Sequence, residues 1–204
     1  MLVFGTQLTK RRSSRAAVVP YIIRPALTGG WRLWFLLGIH ADSGDVSDFG
    51  GGVKKNEYDI TGGYRELNEE TKGIFKDTIN THDLTTCIAA VQDGHGRSRG
   101  MSVVFVPVIS DWFNTAPILF AKANKKGNSH NEMSGLMWVC ESDFLKLAHK
   151  PEAISNHIMW SRLRKFYTSI YTNELHNLLY VRYWWFMPKV EAESCIRQCD
   201  VMTL

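Results

Sequence analysis

A glycine run followed by an acid-rich, amphipathic segment marks the first third of the chain. Residues 50–52 are three consecutive glycines, and four glutamates follow between positions 57 and 70. The apolar residues of this segment recur at steps of four, three and seven: Ile60, Tyr64, Leu67 and Ile74. Because this spacing places them on one side of a helix, the pattern predicts a helix over residues 57–73 that packs by this side against a core.

Three of the glutamates share another side of the predicted helix. Glu70 lies four residues after Glu66, and Glu69 lies three after it. Like charges at these spacings repel by roughly a few tenths of a kcal/mol per pair. Mg²⁺ and Mn²⁺ remove the repulsion, because hard cations prefer clustered carboxylate oxygens. Arg65 can orient one carboxylate, and the glycines let backbone atoms approach a metal ion or a phosphate. A metal site is therefore predicted, with a solvated acidic face as the alternative.

The spacing of these residues resembles the Nudix box. That box reads Gly, five residues, Glu, seven residues, Arg-Glu, an aliphatic residue, any residue, Glu-Glu, any residue, Gly and an aliphatic residue. The chain matches every fixed position from Gly51 through Glu70. It departs at Lys72, where the box has glycine, and Gly73 follows one residue late. This departure concerns the helix exit. With the flanking pattern, the resemblance extends over about residues 16–170.

The resemblance implies a fold, a reaction and a cofactor. The fold is an α/β/α sandwich around a mixed sheet. The reaction is hydrolysis of a pyrophosphate bond in a nucleoside diphosphate linked to another moiety, so the substrate is a nucleotide, a dinucleoside polyphosphate or a nucleotide sugar. The cofactor is Mg²⁺ or Mn²⁺, held by one backbone carbonyl and three carboxylates: Gly51, Glu66, Glu69 and Glu70.

The resemblance also implies roles for individual side chains. Glu66 and Glu69 are both candidates for the general base that accepts the proton of the attacking water. Glu132 matches the place where many family members bring a further ligand or base, and a plain loop acid is the alternative. Arg65 is predicted to take part by orienting carboxylates, and Glu57 to support the geometry of loop and helix.

Four further residues are predicted to contact the substrate. The rings of Trp34 and Phe120 can stack on a base, and the charges of Lys54 and Lys126 can hold phosphates. The competing interpretations are core packing for the two aromatic residues and a solvated surface for the two lysines.

Turn residues divide the chain into short apolar stretches. The pattern predicts strands at 16–23, 32–39, 83–91, 101–109 and 136–139, and helices at 57–73, 141–149 and 153–171. It also predicts a hairpin over 31–50, a long polar loop over 111–134, and a final strand or helix at 178–186. This order predicts an α/β sandwich with helices on both faces of a sheet.

The net charge of +4 is concentrated at one end of the chain. Residues 1–24 contain five basic residues and no acid, and the remainder has 19 bases and 20 acids, a balance of −1. Residues 1–15 are predicted to form a basic, mobile arm, and residues 16–204 the catalytic domain, with 172–204 as a candidate appended element. The arm makes an RNA contact an open alternative.

Composition excludes several classes of protein. With 45% hydrophobic and 22% charged residues, the chain has enough apolar material for a core and is not mostly disordered. No apolar run approaches the ~18 residues that a membrane-spanning helix needs, so no membrane contact is predicted. The basic start does not follow the order of a secretory signal. A cytoplasmic location is predicted, with organellar targeting by the arm as the alternative, and a homodimer is a further open partner.

Two other functions compete with hydrolysis of a small nucleotide substrate. One is decapping of mRNA, in which the capped end is the substrate and the arm holds the RNA. The other is nucleotide binding without turnover, which the complete glutamate set argues against.

Overall fold

The structure is a computed structural model that describes residues 13–26, 29–76, 85–92, 98–124, 132–149 and 156–201. Its elements follow in chain order: β1 (Arg15–Pro25), β2 (Trp31–His40), β3 (Val46–Ser47), β4 (Phe49–Gly52), α1 (Asp59–Glu70), β5 (Thr85–Gln92), β6 (Ser98–Pro107), α2 (Trp112–Asn124), β7 (Met133–Cys140), α3 (Glu141–His149), α4 (Ser161–Ile170) and α5 (Asn173–Val201).

The sheet is mixed and is organised around β1. The first half of β1 pairs with β4 and the second half with β2, both antiparallel, while β6 runs parallel along its other edge. Strand β5 pairs antiparallel with β6, and β7 and β3 pair antiparallel with β2. Because β4 carries residues 50–52, this pairing fixes the glycine run against the first residues of β1.

One face of the sheet is covered by the three C-terminal helices. Tyr21 and Phe35 are opposite each other on β1 and β2. The Phe35 ring lies 4.7 Å from the ring of Phe144 in α3, and the Tyr21 hydroxyl donates a hydrogen bond to the carbonyl of Leu179 in α5. Helix α4 packs on α3, with the rings of Tyr167 and Phe144 5.0 Å apart.

The opposite face is covered by α1 and α2. The neighbouring pair of Ile22 and Trp34 points to this face, where the Trp34 ring meets Phe113 of α2 at 5.2 Å. Helix α1 lies on the same side, because Gly63 approaches the side chain of Val18, four residues before Ile22. The predicted α/β sandwich with a mixed sheet and helices on both faces is therefore confirmed.

The apolar positions predicted for α1 lie against the core. Leu67 is fully buried, and the other three pack on the core from partly buried positions: Ile60, Tyr64 and Ile74. The helix itself is shorter than predicted, since it begins at Asp59 and ends at Glu70. The buried carboxylate of Asp59 accepts the backbone N–H of Ser13 at 3.0 Å, which joins the helix start to the segment before β1.

The prediction of a polar loop over 111–134 is wrong for its first half. Residues Trp112–Asn124 form α2, with Pro117 inside the helix. Proline has no N–H to donate to the carbonyl four residues earlier, so its presence argues for a loop. Burial of Ala116 and Phe120, four residues apart on one side of α2, stabilises the helix nevertheless. Residues 125–131 lie outside the described part of the chain.

Two C-terminal predictions are also corrected. The helix predicted at 153–171 begins only at Ser161. Residues 157–160 are extended, with Met159 bridged to Val46, and Ile158 is 44% exposed. The segment 178–186, which was open between strand and helix, belongs to the long helix α5. No helix in the described ranges combines the length and apolar character that crossing a bilayer requires.

The end of the predicted arm also shifts. Arg15 is the first residue of β1, and the backbone N–H of Ser14 donates to the Gly100 carbonyl at 2.8 Å. With Ser13 bonded to Asp59, residues 13–15 are part of the folded domain rather than of the arm. The prediction for residues 1–12 concerns residues outside those that the structure describes.

Candidate active site

The backbone of Gly51 lies against the carboxylate of Glu66 in α1. A side-chain carbon built on Gly51 would lie 2.5 Å from both the Glu66 carboxyl carbon and its Oε1. Real atoms do not approach so closely, so a glycine is needed here for the carboxylate to rest against the backbone. In contrast, a carbon added at Gly52 would meet nothing within 4 Å. The third glycine of the run therefore has no comparable packing constraint.

Arg65 connects the acidic residues of this loop and helix. Its Nη1 donates to Glu66 Oε1 at 2.6 Å and to Glu69 Oε2 at 3.3 Å, and its Nη2 donates to the carbonyl of Gly52 at 2.9 Å. On the other side its Nε donates to Glu57 Oε1 at 3.0 Å. The guanidinium thereby sets the spacing between the two helical carboxylates and the glycine loop.

Glu57 connects the loop to the helix. Its carboxylate accepts the backbone N–H of Lys54 at 2.9 Å and two N–H groups of Arg65. The hydrogen bond from Arg65 is the main cause that lowers the pKa of Glu57, although burial opposes it. Glu57 is therefore ionised near neutral pH and supports the orientation of Arg65.

Glu70 points inward, away from Arg65. It is buried, and its Oε2 accepts the backbone N–H of Gly50 at 3.0 Å. Burial raises the pKa of Glu70 to about 9, the charge of Asp48 adds to the shift, and Arg15 opposes it. Glu70 thus differs from Glu69, whose side chain is 59% exposed.

Beneath Glu70 lies a buried ion pair that the sequence patterns did not reveal. Asp48 is fully buried and binds Arg15 through two hydrogen bonds, at 2.5 and 3.2 Å. The same guanidinium donates to the carbonyl of Gly50 at 3.0 Å, and the hydroxyl of Tyr167 donates to Asp48 at 2.6 Å. The pair is therefore hydrogen-bonded to the backbone at the start of the glycine run. Its one sequence signal is the position of Asp48 just ahead of that run.

The donor set around Gly51 fits a hard divalent cation. The groups that would hold Mg²⁺ or Mn²⁺ are oxygen donors from β4 and α1: the carbonyl of Gly51 and the carboxylates of Glu66, Glu69 and Glu70. The observation that supports the fit is the contact of Glu66 with Gly51, which places a carboxylate directly against the backbone of the glycine run. In the described residues no three acidic, histidine or cysteine side chains already converge on one point.

Glu132 lies directly before β7, next to the end of β2 where His40 pairs with Met133. Its carbonyl accepts the backbone N–H of Ala41 at 2.9 Å, and its side chain is exposed. Burial is the main cause that raises the pKa of Glu70 and lowers the pKa of His40. The charge of Glu132 raises the pKa of both groups, because it favours the protonated form of each. The fold thus brings Glu132 within electrostatic reach of the acidic helix across 62 residues of sequence (132 − 70).

The four predicted substrate contacts are placed differently. Lys54 is exposed in the loop before α1. Phe120 is 2% exposed in the core, where a base cannot reach its ring, so this prediction is corrected to core packing. Trp34 is half-buried under Phe113, opposite Ile22 on β1, whereas Gly51 is opposite Ala16. Lys126 lies outside the described residues.

Six residues of β1 separate those two pairing positions (22 − 16). At about 3.3 Å per residue, Trp34 and Gly51 are therefore roughly 20 Å apart along the strand. The structure does not bring Trp34 together with the acidic residues.

The departure from the box at Lys72 affects only the helix exit. Lys72 has φ 58° and Gly73 has φ 74°, both in the left-handed region. The backbone N–H of Gly73 donates to the Asn68 carbonyl at 2.8 Å, which closes the helix end. Lys72 therefore takes the left-handed conformation at the position where the box has glycine, and the glutamates of α1 keep their spacing.

Replacing Gly51 by alanine should strongly lower activity. The added carbon would push the Glu66 carboxylate away from the loop, and a displacement of about 1 Å at such a group costs about 100-fold in rate. We expect kcat/KM for a nucleotide substrate to fall by about that factor. Gly52→Ala is the matched control, since its added carbon enters open space. Equal activity of the two variants would contradict this account of the Gly51 position.

The chain is similar to several solved structures. An Ap4A hydrolase of C. elegans is 18% identical, with 78% of this chain and 98% of that chain covered and a TM-score of 0.41. The pyrophosphohydrolase BsRppH of Bacillus subtilis is 17% identical, with 88% and 86% covered and a TM-score of 0.41. The Nudix hydrolase RenU of M. smegmatis is 18% identical, with 78% and 88% covered and a TM-score of 0.40. No family model and no curated protein matches the chain.

The chain carries the residues of the Nudix box on one loop and one helix, with the first glycine and the first helical glutamate of the box in contact. The Nudix hydrolases are the family to which this chain is similar.

Proposed function

We propose that the protein is a metal-dependent Nudix pyrophosphohydrolase that cleaves a nucleoside diphosphate linked to another moiety. The single observation that carries the proposal is the close contact of the Glu66 carboxylate with the backbone of Gly51. Arg65 supports this arrangement, because it donates hydrogen bonds to Glu66, to Glu69 and to the carbonyl of Gly52. A merely solvated acidic face would not need a glycine at 51. It would also leave Arg65 free of the loop.

The proposed chemistry follows from the charges of the site. A pyrophosphate carries dense negative charge, and a bound divalent cation supplies the screening and the activation of water that hydrolysis needs. Glu66, Glu69 and Glu70, with the Gly51 carbonyl, would hold the cation. A carboxylate that is not fully engaged by the cation accepts the proton of the attacking water. Glu69 and Glu132 are the more exposed acids and are the candidates for this step.

Arg65 orients the carboxylates in this proposal and does not bind substrate. Arg65 donates five hydrogen bonds to four residues: Glu57, Glu66, Glu69 and Gly52. Hydrogen bonds and charge of Glu57 and Glu66 raise the pKa of Arg65 above its ordinary value, so it is cationic at every pH of interest. Its fixed charge keeps the acidic side chains together before a cation is bound.

A substrate panel with two metals tests the proposal. ADP-ribose, diadenosine tetraphosphate and capped RNA are incubated with Mg²⁺, with Mn²⁺ and with EDTA, and products are separated by chromatography. We expect cleavage of at least one of the three between two phosphorus atoms, only when a divalent cation is present. Glu69→Gln serves as the inactive control. Turnover in EDTA, or cleavage of none of the substrates, would refute the proposal.

Decapping stays a second candidate because of the basic N-terminal residues. The structure reduces its support, since Arg15 is paired with Asp48, and the guanidinium of Arg24 lies 4.0 Å from the centre of the Phe113 ring. Lys10, Arg11 and Arg12 are the bases that lie before the described domain. A chain that starts at Ser13 tests them. If the three bases contact RNA, the shortened chain binds capped RNA more weakly than the full chain, and its affinity depends less on salt concentration. Unchanged affinity and salt dependence would exclude the contact.

A cytoplasmic location, with organellar targeting as the alternative, and association into a homodimer remain proposals of the same kind. Fluorescence microscopy of a C-terminally tagged chain tests the location, and light scattering of the purified protein tests self-association.

A further inference from the structure

The extended segment of residues 157–160 is fixed to the hairpin of β2 and β3. The backbone N–H of Val46 donates to the carbonyl of Ile158 at 2.8 Å, and Met159 forms a parallel bridge to Val46. The imidazole Nδ1 of His157 lies 2.6 Å from the carbonyl oxygen of Gly44. Met159 is 2% exposed, so its side chain anchors the segment in the core. The backbone directly before Trp160 is therefore fixed by hydrogen bonds to the hairpin and by the buried side chain of Met159.

Trp160 itself lies flat on His40. The two rings are 4.4 Å apart between centres and 17° from parallel, and Trp160 is 46% exposed. The Nε2 of His40 lies 2.9 Å from the hydroxyl oxygen of Ser47, which fixes the imidazole plane. One face of the indole is therefore supported by the protein and a large part of the ring is open to solvent.

Short stretches of chain connect this stacked pair to the acidic site. His40 is paired in register with Met133, the residue after Glu132, and Ala41 is bonded to the Glu132 backbone. Ser47, which contacts His40, is followed by Asp48 and then by β4 with the glycine run. Two short connections thus lead from the His40 ring that supports Trp160 to residues of the site, one to Glu132 and one to Asp48.

Other exposed tryptophans of the described residues are placed differently. Trp31 is at the opposite end of β2 from His40, and its ring meets Trp184 of α5 edge to face at 5.0 Å. Trp185 is 65% exposed on the same helix. Trp31 lies nine residues before His40 on β2, roughly 30 Å at about 3.3 Å per residue. Trp31 and the Trp184 ring that contacts it are therefore remote from the end of β2 that pairs beside Glu132.

We propose that Trp160, supported by His40, is the platform on which the heterocyclic base of the nucleotide stacks. The proposal rests on the proposed function, because that function places the diphosphate at Glu66 and Glu69. An uncharged aromatic surface suits the base, since every base has a flat π face. A diphosphate bound at the acidic residues and a base bound at Trp160 would leave the second moiety of the substrate free to vary.

Equilibrium binding separates the base from the phosphates. ADP, GDP and inorganic pyrophosphate are titrated by calorimetry in Mg²⁺ into the wild type and into three variants: Trp160→Ala, Trp160→Phe and Trp185→Ala. Stacking on an aromatic residue corresponds to about 10- to 100-fold in affinity. We expect Trp160→Ala to weaken ADP or GDP by such a factor and to change pyrophosphate by less than about twofold. Trp160→Phe should restore most of the affinity, and Trp185→Ala should behave as wild type.

Two results would overturn the platform. One is unchanged binding of both nucleotides in Trp160→Ala, and the other is an equal loss for pyrophosphate and the nucleotides, which would indicate a general disturbance of the site. Thermal melting of each variant shows whether the fold is retained. These titrations do not depend on turnover, so a chain that cleaves no substrate of the panel would refute the proposed function while the loss of ADP binding still supported the platform.

Discussion

Glu66→Gln is expected to lower kcat by about 1,000-fold or more while the protein stays folded. The change removes a negative charge from the group that rests on Gly51 and binds Arg65 at 2.6 Å. Loss of a preorganised charged group at a phosphoryl centre commonly costs two to three orders of magnitude or more, about 3–4 kcal/mol or more in the barrier. Glutamine keeps the shape of the side chain, so the loop and helix should keep their packing.

The same variant should bind a divalent cation more weakly. Mn²⁺ titration followed by electron paramagnetic resonance measures this without substrate, and we expect at least about a tenfold rise in the dissociation constant. Glu174→Gln is the matched control, because Glu174 lies in the first turn of α5, outside the acidic site. Near-normal turnover and unchanged Mn²⁺ affinity in Glu66→Gln would contradict the assignment of the metal site to α1.

Asp48→Asn is expected to lower the free energy of unfolding by about 3–5 kcal/mol. Asp48 is fully buried, and its removal leaves the partly buried guanidinium of Arg15 without its counter-charge. Breaking a buried pair on one side is costly because the remaining charge stays desolvated. The hydroxyl of Tyr167 also loses a charged acceptor. Urea denaturation followed by circular dichroism gives the value.

Two further variants separate the charge from the packing. Tyr167→Phe removes one hydrogen bond and should cost about 1–3 kcal/mol. Adding Arg15→Met to Asp48→Asn removes the unpaired charge, so the double variant should be more stable than the sum of the two single losses predicts. Asp42→Asn, on an exposed turn, should be neutral. A loss of under about 1 kcal/mol in Asp48→Asn would contradict a stabilising role of the buried Arg15–Asp48 pair.

The sequence alone was sufficient where the signal was local. The helix of residues 57–73, its inward-facing residues and the need for a glycine beside the acids were all predicted from a window of about 25 residues. Helical period and spacing act within such a window, because each residue contacts those three and four positions away. The structure shortened the helix to Asp59–Glu70 and showed which glycine is constrained, Gly51 rather than Gly52.

Long-range packing decided the features that local rules misjudged. Pro117 indicated a loop, but burial of Phe120 makes the segment helical. The pattern predicted a helix from residue 153, yet the carbonyl of Ile158 accepts a hydrogen bond from Val46 and residues 157–160 are extended. In both cases a contact with a distant part of the chain outweighs the preference of the segment itself.

The order of the glutamates and the spacing of the Nudix box were determined by the sequence by itself, since both are properties of one helix and the loop before it. Only the tertiary structure decided what surrounds them. Arg15 meets Asp48 across 33 positions, Tyr167 meets Asp48 across 119, and Trp160 stacks on His40. Such pairs depend on how the strands and the extended segment pack together. No period or spacing within one segment encodes that packing, which places a buried charge beneath the acidic site and an aromatic ring beside it.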